Sequence, residues 1–281
     1  FYLVIIWLLF GYYLVIFTLI LSININIMSA PKRIFVVPYR DRAEHKKEFI
    51  ERMDDYLSDS TDWEMYFAHQ CDERPFNRGA MKNIGFLAMK DKYPDDYKDI
   101  TFIFHDVDTW PRHNGSIHYT TTEGVVSHFY GFQFTLGGMF AIKGKDFEKT
   151  KGYPNFWGWG FEDNKMQDRC LEVGLKIDRS CFFGINNGKP DIVRKNDGYI
   201  RTLSKRDQYV YASEEPDTMN HLKNVSWEID GNMINISNFE PEMRLEEQEF
   251  YERHASQGTR IKAQRGYFRK NWNMSKLMSQ K

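Results

Sequence analysis

"ITFIFHDVD", residues 100–108, is the stretch whose reading decides the fold. A short run of apolar and β-branched residues, too brief for a helix, ends directly in acids. Such a run reads as a strand buried on both faces, the kind parallel sheets use. Upstream, "RIFVV" (33–37) is a second buried run, expected to stop at Pro38. Between them, "AEHKKEFIERMDDYL" (43–57) sets Phe49, Ile50, Met53, Tyr56 and Leu57 at helical spacing. "WEMYFAHQ" (63–70) alternates as a strand does, and "NRGAMKNIGFLAMKDKY" (77–93) returns to the helical period. Downstream, "GGMFAIKG" (137–144) predicts a strand and "EDNKMQDRCLEVG" (162–174) a helix closed by Gly174. Strands and helices alternate, so an α/β fold is expected, with a mostly parallel central sheet flanked by helices. Ligands of such sheets sit beyond the carboxyl ends of the strands, where "PYRDR" and "HDVD" both fall.

The 281 residues carry 38 basic and 39 acidic side chains, a net charge of −1, so no global field favours nucleic acid. Three cysteines, Cys71, Cys170 and Cys181, form no CxxC pair; they argue against a disulfide framework or a zinc site and are expected to be small buried residues, with a single bridge as the alternative. N-x-S/T triplets occur at Asn114, Asn224, Asn235 and Asn273, but chance produces such triplets often in an Asn-rich chain.

Residues 1–27 differ from the rest. "FYLVIIWLLFGYYLVIFTLIL" (1–21) is uncharged and long enough to span a bilayer as a helix. Two readings compete. In one, the segment is a signal anchor and the protein is membrane-anchored, of the Golgi-type lumenal kind. In the other, it is a non-native upstream extension, and a soluble cytoplasmic chain starts at Met28. Lys32 and Arg33 lie on the C-terminal side of the segment, which by the positive-inside rule favours the second reading. The expected organisation is the apolar segment 1–27, a catalytic domain over 28–240, and a C-terminal part over 241–281. That last part reads as an acidic helix, "EPEMRLEEQEFYERH", followed by a basic tail with seven basic residues and no acid from Thr259 onward.

Four stretches carry chemistry. In "FHDVDTWP" (104–111), an extended backbone would project Asp106 and Asp108 to one side. Two carboxylates so close repel unless a cation stands near, and a hard divalent ion bridging to a diphosphate fits. In "VVPYRDR" (36–42), Arg40 and Arg42 suit a phosphate or a base edge, with a surface ion pair as the plainer alternative. In "RPFNRGAMKNIG" (74–85), Phe76 and Arg78 offer a stacking face and a cation, and Asn77 suits a helix N-cap. In "FWGWGFEDNKMQDR" (156–169), glycines permit close approach and Trp157 and Trp159 offer faces for sugar C–H surfaces. There Glu162 and Asp163 open a helix whose dipole favours their ionised forms, as a general base for a sugar hydroxyl requires. The plainer alternative is a packing corner with capping acids.

Taken together, and in this order, these segments resemble the β-1,4-galactosyltransferase family, glycosyltransferase family 7. With "LGGMFAI" and "MNHLKNVSWEI" added, the resemblance runs from about Arg33 to Asn238. It implies a GT-A fold, with a Rossmann-like nucleotide-binding half and an acceptor-binding half, and an inverting, metal-dependent reaction. It implies that Pro38, Tyr39, Arg40, Arg42, Phe76 and Arg78 hold the uridine diphosphate, with Asp106 and Val107 beside it and Asp108 on Mn²⁺ (or Mg²⁺). It also implies that Gly138 lets the backbone approach the donor sugar, that Trp159 lies between donor and acceptor, and that Glu162 contacts the donor. Asp163 would be the catalytic base, with Trp159, Asp163 and Asn164 facing the acceptor. The implied partners are a UDP-sugar donor and a glycan or glycoconjugate acceptor, with a membrane involved only if residues 1–21 are an anchor.

The chain departs from the family pattern at three points. Residues 178–199 contain no histidine to complete the metal site, leaving Asn186, Asn187 or Asp191 as substitutes. Asn164 stands where the family has a third acid. Thr135 stands where it often has tyrosine near C2 of the donor sugar, so UDP-GalNAc is an alternative donor to UDP-galactose. The leading expectation is a hexosyltransferase. A catalytically impaired relative that binds nucleotide-sugar or glycan is the alternative, and a carboxylate-metal phosphodiesterase is a third reading that the charge balance disfavours.

Overall fold

The computed structural model describes residues 30–185, 191–195 and 200–254. The chain divides at Pro31, and all of its described helices and strands belong to the unit that begins at Lys32. The apolar segment 1–27 lies outside the described residues, among which no helix is long and apolar enough to cross a membrane.

The first half has the expected alternation: β1 (Arg33–Tyr39), α1 (Ala43–Tyr56), β2 (Trp63–Gln70), α2 (Arg78–Lys92) and β3 (Thr101–His105). The second half is β4 (Thr109–Pro111), β5 (Val125–Gly131), β6 (Met139–Lys143), α3 (Gly144–Thr150), α4 (Glu162–Glu172), β7 (Lys176–Asp178), β8 (Phe183–Gly184), β9 (Ile192–Arg194), β10 (Ile200–Ser204), α5 (Lys205–Ser213), β11 (Lys223–Asp230), β12 (Met233–Glu240) and β13 (Phe250–His254). The main sheet runs β11-β12-β2-β1-β3-β6-β5-β7, with β8 on β5. Strands β12, β2, β1 and β3 are parallel, and β6 runs antiparallel between β3 and β5. β1 therefore lies between its two successors, β2 on one side and β3 on the other. That is the strand-order switch at which an α/β sheet opens a crevice beyond its carboxyl ends.

β1 alternates its side chains between two cores. Phe35 and Val37 join Phe49, Met53, Phe67 and Ile103 under α1. On the α2 side, Phe86 packs edge-on to Phe102, with ring centroids 4.8 Å apart, and Phe147 packs on Phe104 at 4.6 Å. Gly85 lets α2 close on the sheet, since a Cβ there would stand 2.5 Å from Val36 Cγ1.

Three expectations need correction. β1 does not stop at Pro38, which pairs with Ala68 of β2. Its pairing with β3 ends at Val36, so the proline ring lies where one side of the strand is already open. The predicted acidic helix is instead a single 3₁₀ turn, Leu245–Glu247, followed by β13, which pairs antiparallel with β10 from Ile200↔His254 to Ser204↔Phe250. Backbone pairing there outweighs the helical preference of the glutamate-rich stretch, so the folded unit runs past residue 240, at least to His254. Finally, Cys170 alone of the three cysteines is buried, and all three are free thiols. The basic tail lies outside the described residues.

Candidate active site

The turn after β3 is less extended than the D-x-D spacing suggests. Asp106 to Asp108 leave the strand, with the Thr109 amide returning to the Asp106 carbonyl at 3.4 Å. His105, fully buried, braces the turn: Nδ1 meets the Asp106 carbonyl at 2.9 Å and Nε2 meets Tyr119 Oη at 3.1 Å. Burial pushes its imidazole down to about 4, so it serves as a neutral strut. On the other side β9 pairs with β4, setting Arg194 opposite Thr109, and the Lys195 amide donates to the Asp108 carbonyl at 2.8 Å.

α2 opens with Asn77, whose side chain accepts from the Ala80 amide. Asn77 and Asn83 also hold the segment before the tryptophans. Asn77 Nδ2 donates to the Asn155 carbonyl and Asn83 Nδ2 to the Tyr153 carbonyl, both at 2.9 Å. Gly79 permits that closeness, since a Cβ would fall 2.0 Å from the Pro154 carbonyl oxygen. On the face of α2 toward the site, Arg78 Nη2 donates to Asp106 Oδ1 at 2.6 Å and Nη1 to Glu162 Oε1 at 3.2 Å. One turn on, Lys82 Nζ donates to Asp163 Oδ1 at 2.9 Å.

The tryptophan loop is fixed from behind by the C-terminal part of the chain. The Trp159 amide donates to the Thr202 carbonyl at 2.7 Å, and the Gly158 amide to Asp207 Oδ2 at 2.6 Å. Trp157 is buried, stacks on Phe239 and donates from its indole to the Met243 carbonyl at 2.8 Å. Trp159 is half-exposed, with the Arg201 guanidinium 5.5 Å from its ring centroid. Gly160 (φ 101°) and Phe161 (φ 71°) take left-handed backbone, turning the chain into α4 with Glu162 and Asp163 in its first turn.

These elements enclose a cleft of about 640 Å³ beyond the carboxyl ends of β1 and β3. Of the residues expected from sequence, Pro38, Arg40, Arg42, Phe76, Arg78, Asp106, Val107, Asp108, Gly138, Trp159 and Asp163 line it. The Arg40 guanidinium lies 5.2 Å from the Phe76 ring centroid, and Arg40 also stands 3.7 Å from Asp41, the surface pair the sequence allowed. Three expected residues stand off the cleft wall. Tyr39 faces the core, edge-on to Phe67 and His69, because strand alternation sends it inward. Glu162 is 3 % exposed behind Arg78, with Oε2 buried and unbonded; burial, and then the charge of Asp163, raise its carboxyl above the usual range. Asn164 turns its amide to the Phe134 carbonyl at 3.3 Å.

Sequence reading missed Lys82, His105 and His128. His128 Nε2 lies 3.0 Å from both the Tyr130 and Gly137 carbonyls, so it pinches the loop that carries Thr135 and Gly138. A signal for Lys82 existed: it is a lysine four residues after Arg78 amid Ala80, Met81, Ile84 and Phe86, all buried.

The acids suit a metal ion carried in with a substrate better than a preformed site. Asp106 is engaged by Arg78, and among the described residues no group of three His, Cys, Asp or Glu side chains converges. Hard ions such as Mg²⁺ commonly bind through one or two carboxylates plus substrate phosphates, and Asp108 on the cleft wall fits that pattern. Of the suggested substitute ligands, Asn186 and Asn187 lie outside the described residues, and the Asp191 carbonyl accepts from the Arg112 amide at 2.7 Å.

Two family profiles match the chain in succession: the N-terminal region of glycosyl transferase group 7 over residues 26–121, and the N-terminal domain of galactosyltransferase over 120–190. Beta-1,4-galactosyltransferase 4 of Homo sapiens is 27% identical over 207 residues, covering 70% of this chain and 55% of that protein. Beta-1,4-galactosyltransferase 1 of Mus musculus is 31% identical over 163 residues, covering 54% of this chain and 40% of the relative. The chain thus spans about half the length of the curated relatives it matches. Among solved structures, the catalytic domain of Drosophila beta1,4galactosyltransferase 7 in complex with xylobiose superposes with a TM-score of 0.56 at 20% identity. That match covers 74% of this chain and 94% of that one. A mutant of the Drosophila enzyme in complex with manganese, UDP-Gal and xylobiose gives a TM-score of 0.55 at 19% identity, with the same coverage. The fold is GT-A, and the chain belongs to glycosyltransferase family 7, the family of the β-1,4-galactosyltransferases.

Proposed function

We propose that this protein is an inverting glycosyltransferase that moves galactose, or a related hexose such as GalNAc, from a UDP-sugar to a glycan hydroxyl. One observation carries the reading: Asp108 and Asp163 line the same cleft, contributed by the turn after β3 and by the start of α4. The phosphate end of a donor suits the side with Arg40, Arg42, Arg78 and Arg194, and its uracil suits Phe76. The hexose then lies toward Gly138 and Trp159. The acceptor hydroxyl gives its proton to the Asp163 carboxylate as its oxygen bonds to the anomeric carbon. The bond from that carbon to the diphosphate oxygen breaks on the opposite face, and UDP leaves with the electron pair. Arg78 and Arg194 meet the charge that grows on the leaving group. Mn²⁺ or Mg²⁺ at Asp108 would add Lewis-acid neutralisation of the diphosphate.

The test is UDP release on adding MnCl₂ with UDP-galactose or UDP-GalNAc and a panel of sugar acceptors that includes a xyloside. Turnover that vanishes in Asp163→Asn while UDP still binds supports the reading. Full turnover in that variant removes Asp163 as base. A second reading, a binding protein with impaired catalysis, draws on the absence of a converging third metal ligand among the described residues. Tight UDP binding with no turnover on any acceptor would favour it.

A further inference from the structure

We propose that Lys82 is the positioning residue for the base: it pins one oxygen of the Asp163 carboxylate and so fixes which of them faces the acceptor. This rests on the assignment of Asp163 above and goes beyond it.

Lys82 is 2 % exposed, on the inward face of α2. A lysine so deep needs a partner that offsets the loss of hydration. Two lie in reach: Asp163 Oδ1 at 2.9 Å and the face of the buried Tyr153 ring, its centroid 4.4 Å from Nζ. With Oδ1 engaged, the carboxylate cannot turn freely. Its other oxygen lies against Gly137, where an added Cβ would stand 2.4 Å from Oδ2. The pair is half inside the protein and half at the cleft, since Asp163 keeps 19% of its side-chain surface exposed while Lys82 keeps 2%.

The charges around Asp163 single out Lys82. From α2 come Arg78 and Lys82, from its own helix Glu162 and from the preceding segment Tyr153, while Asp106 in the turn after β3 shares the field of Lys82. Arg78 directs its close contacts to Asp106 and Glu162 and makes none within ion-pair distance to Asp163. Lys82 is therefore the cation that directly touches the base. Because Arg78 and Lys82 are one helical turn apart on a single face, α2 also sets the spacing between the diphosphate end and the proton-accepting end of the cleft.

A carboxylate pinned at one oxygen meets the acceptor hydroxyl in a fixed orientation, and losing about 1 Å of that placement costs on the order of 100-fold in rate. A lysine needed only for packing would lower stability without separating kcat from UDP binding.

The experiment compares wild type, Lys82→Met, Lys82→Gln, Asp163→Asn and the Lys82→Met/Asp163→Asn double variant, with UDP binding followed by calorimetry, turnover by UDP release and folding by thermal melts. In Lys82→Met and Lys82→Gln kcat is expected to fall about 10- to 100-fold, with UDP affinity changed less than about 2-fold. In the Asp163→Asn background, Lys82→Met adds no further loss. An unchanged kcat in whichever neutral variant folds, or losses that multiply in the double variant, overturns the proposal. Turnover surviving in Asp163→Asn would instead remove the base assignment beneath it, a separate result.

Discussion

Arg78 donates from Nη2 to Asp106 Oδ1 at 2.6 Å, and its second nitrogen grips Glu162 at 3.2 Å. One guanidinium thus ties the turn after β3 to the first turn of α4. Only a planar fork reaches two carboxylates in this way, and a lysine presents a point charge on a single axis. Arg78→Lys is expected to weaken UDP binding about 10-fold and to lower Tm. Arg78→Ala strands a buried acid and should cost about 3 kcal/mol in urea denaturation. Unchanged stability in the alanine variant would mean that the tie bears no load.

A second dependence runs through the C-terminal part of the chain. Gly158 lies against β10, where a Cβ would stand 2.4 Å from the Ser204 amide, and Trp157 bonds Met243. Cutting the chain at residue 240 removes Met243 and β13 together. The expected outcome is loss of turnover and of the cooperative melt, read by circular dichroism.

Asp207 makes this clamp sensitive to pH. It accepts from the Gly158 amide, while its Oδ1 is buried without a partner, and burial pushes its carboxyl up to about 8. The folded chain therefore keeps a proton that the unfolded chain releases near pH 4. That contribution to stability is full below pH 4 and is lost as pH rises toward 8, by at most about 1.4 kcal/mol per unit. Asp217, raised mainly by burial as well, works in the same direction. Thermal melts from pH 7 to 8, above the range in which the buried His105 and His128 gain stability with pH, should show Tm falling, with a shallower fall in Asp207→Asn. An equal slope in both proteins would rule out this account.

How much of this was legible in the sequence depends on how local each signal is. β2, α2 and α4 stand close to where apolar spacing puts them, because their partners lie on one continuous face. The cleft residues were readable because they come directly after strands whose ends the apolar runs mark. Strand β13 was not, since its pairing with β10 joins residues some fifty positions apart and no pattern within "EFYERH" announces it. Tyr39 was misplaced for a related reason. It sits in the motif, but the alternation of β1 continues through Pro38 and turns the ring inward. Lys82 was legible only as an oddity, a charge on an apolar face whose partner lies 81 residues away.

Gly137 gives a test of base placement that is read against donor binding. Its backbone needs no left-handed conformation, yet a Cβ would overlap Asp163 Oδ2 at 2.4 Å. Gly137→Ala should therefore push the carboxylate aside, and displacements of about 1 Å cost on the order of 100-fold in rate. UDP affinity is expected to change much less than kcat. Loss of UDP binding with retained kcat would mean that the loop serves the donor instead.

Thr135 bears on which sugar is carried. It is 7 % exposed on the cleft wall, its amide 3.3 Å from the Phe132 carbonyl in the loop that His128 pinches. With the donor placed as proposed, a short side chain on this braced loop would leave room beside the hexose for a 2-acetamido group. Thr135→Tyr fills that room with a phenol, and because the loop is braced, the ring has to enter the cleft. The ratio of kcat/KM for UDP-galactose over UDP-GalNAc should then rise about 10-fold or more, the scale on which a pocket discriminates by bulk. The ratio is the measurement to make, since a general loss of folding lowers both rates together and leaves it unchanged. A ratio that stays at the wild-type value in a variant melting at the wild-type temperature would place the donor sugar away from this loop.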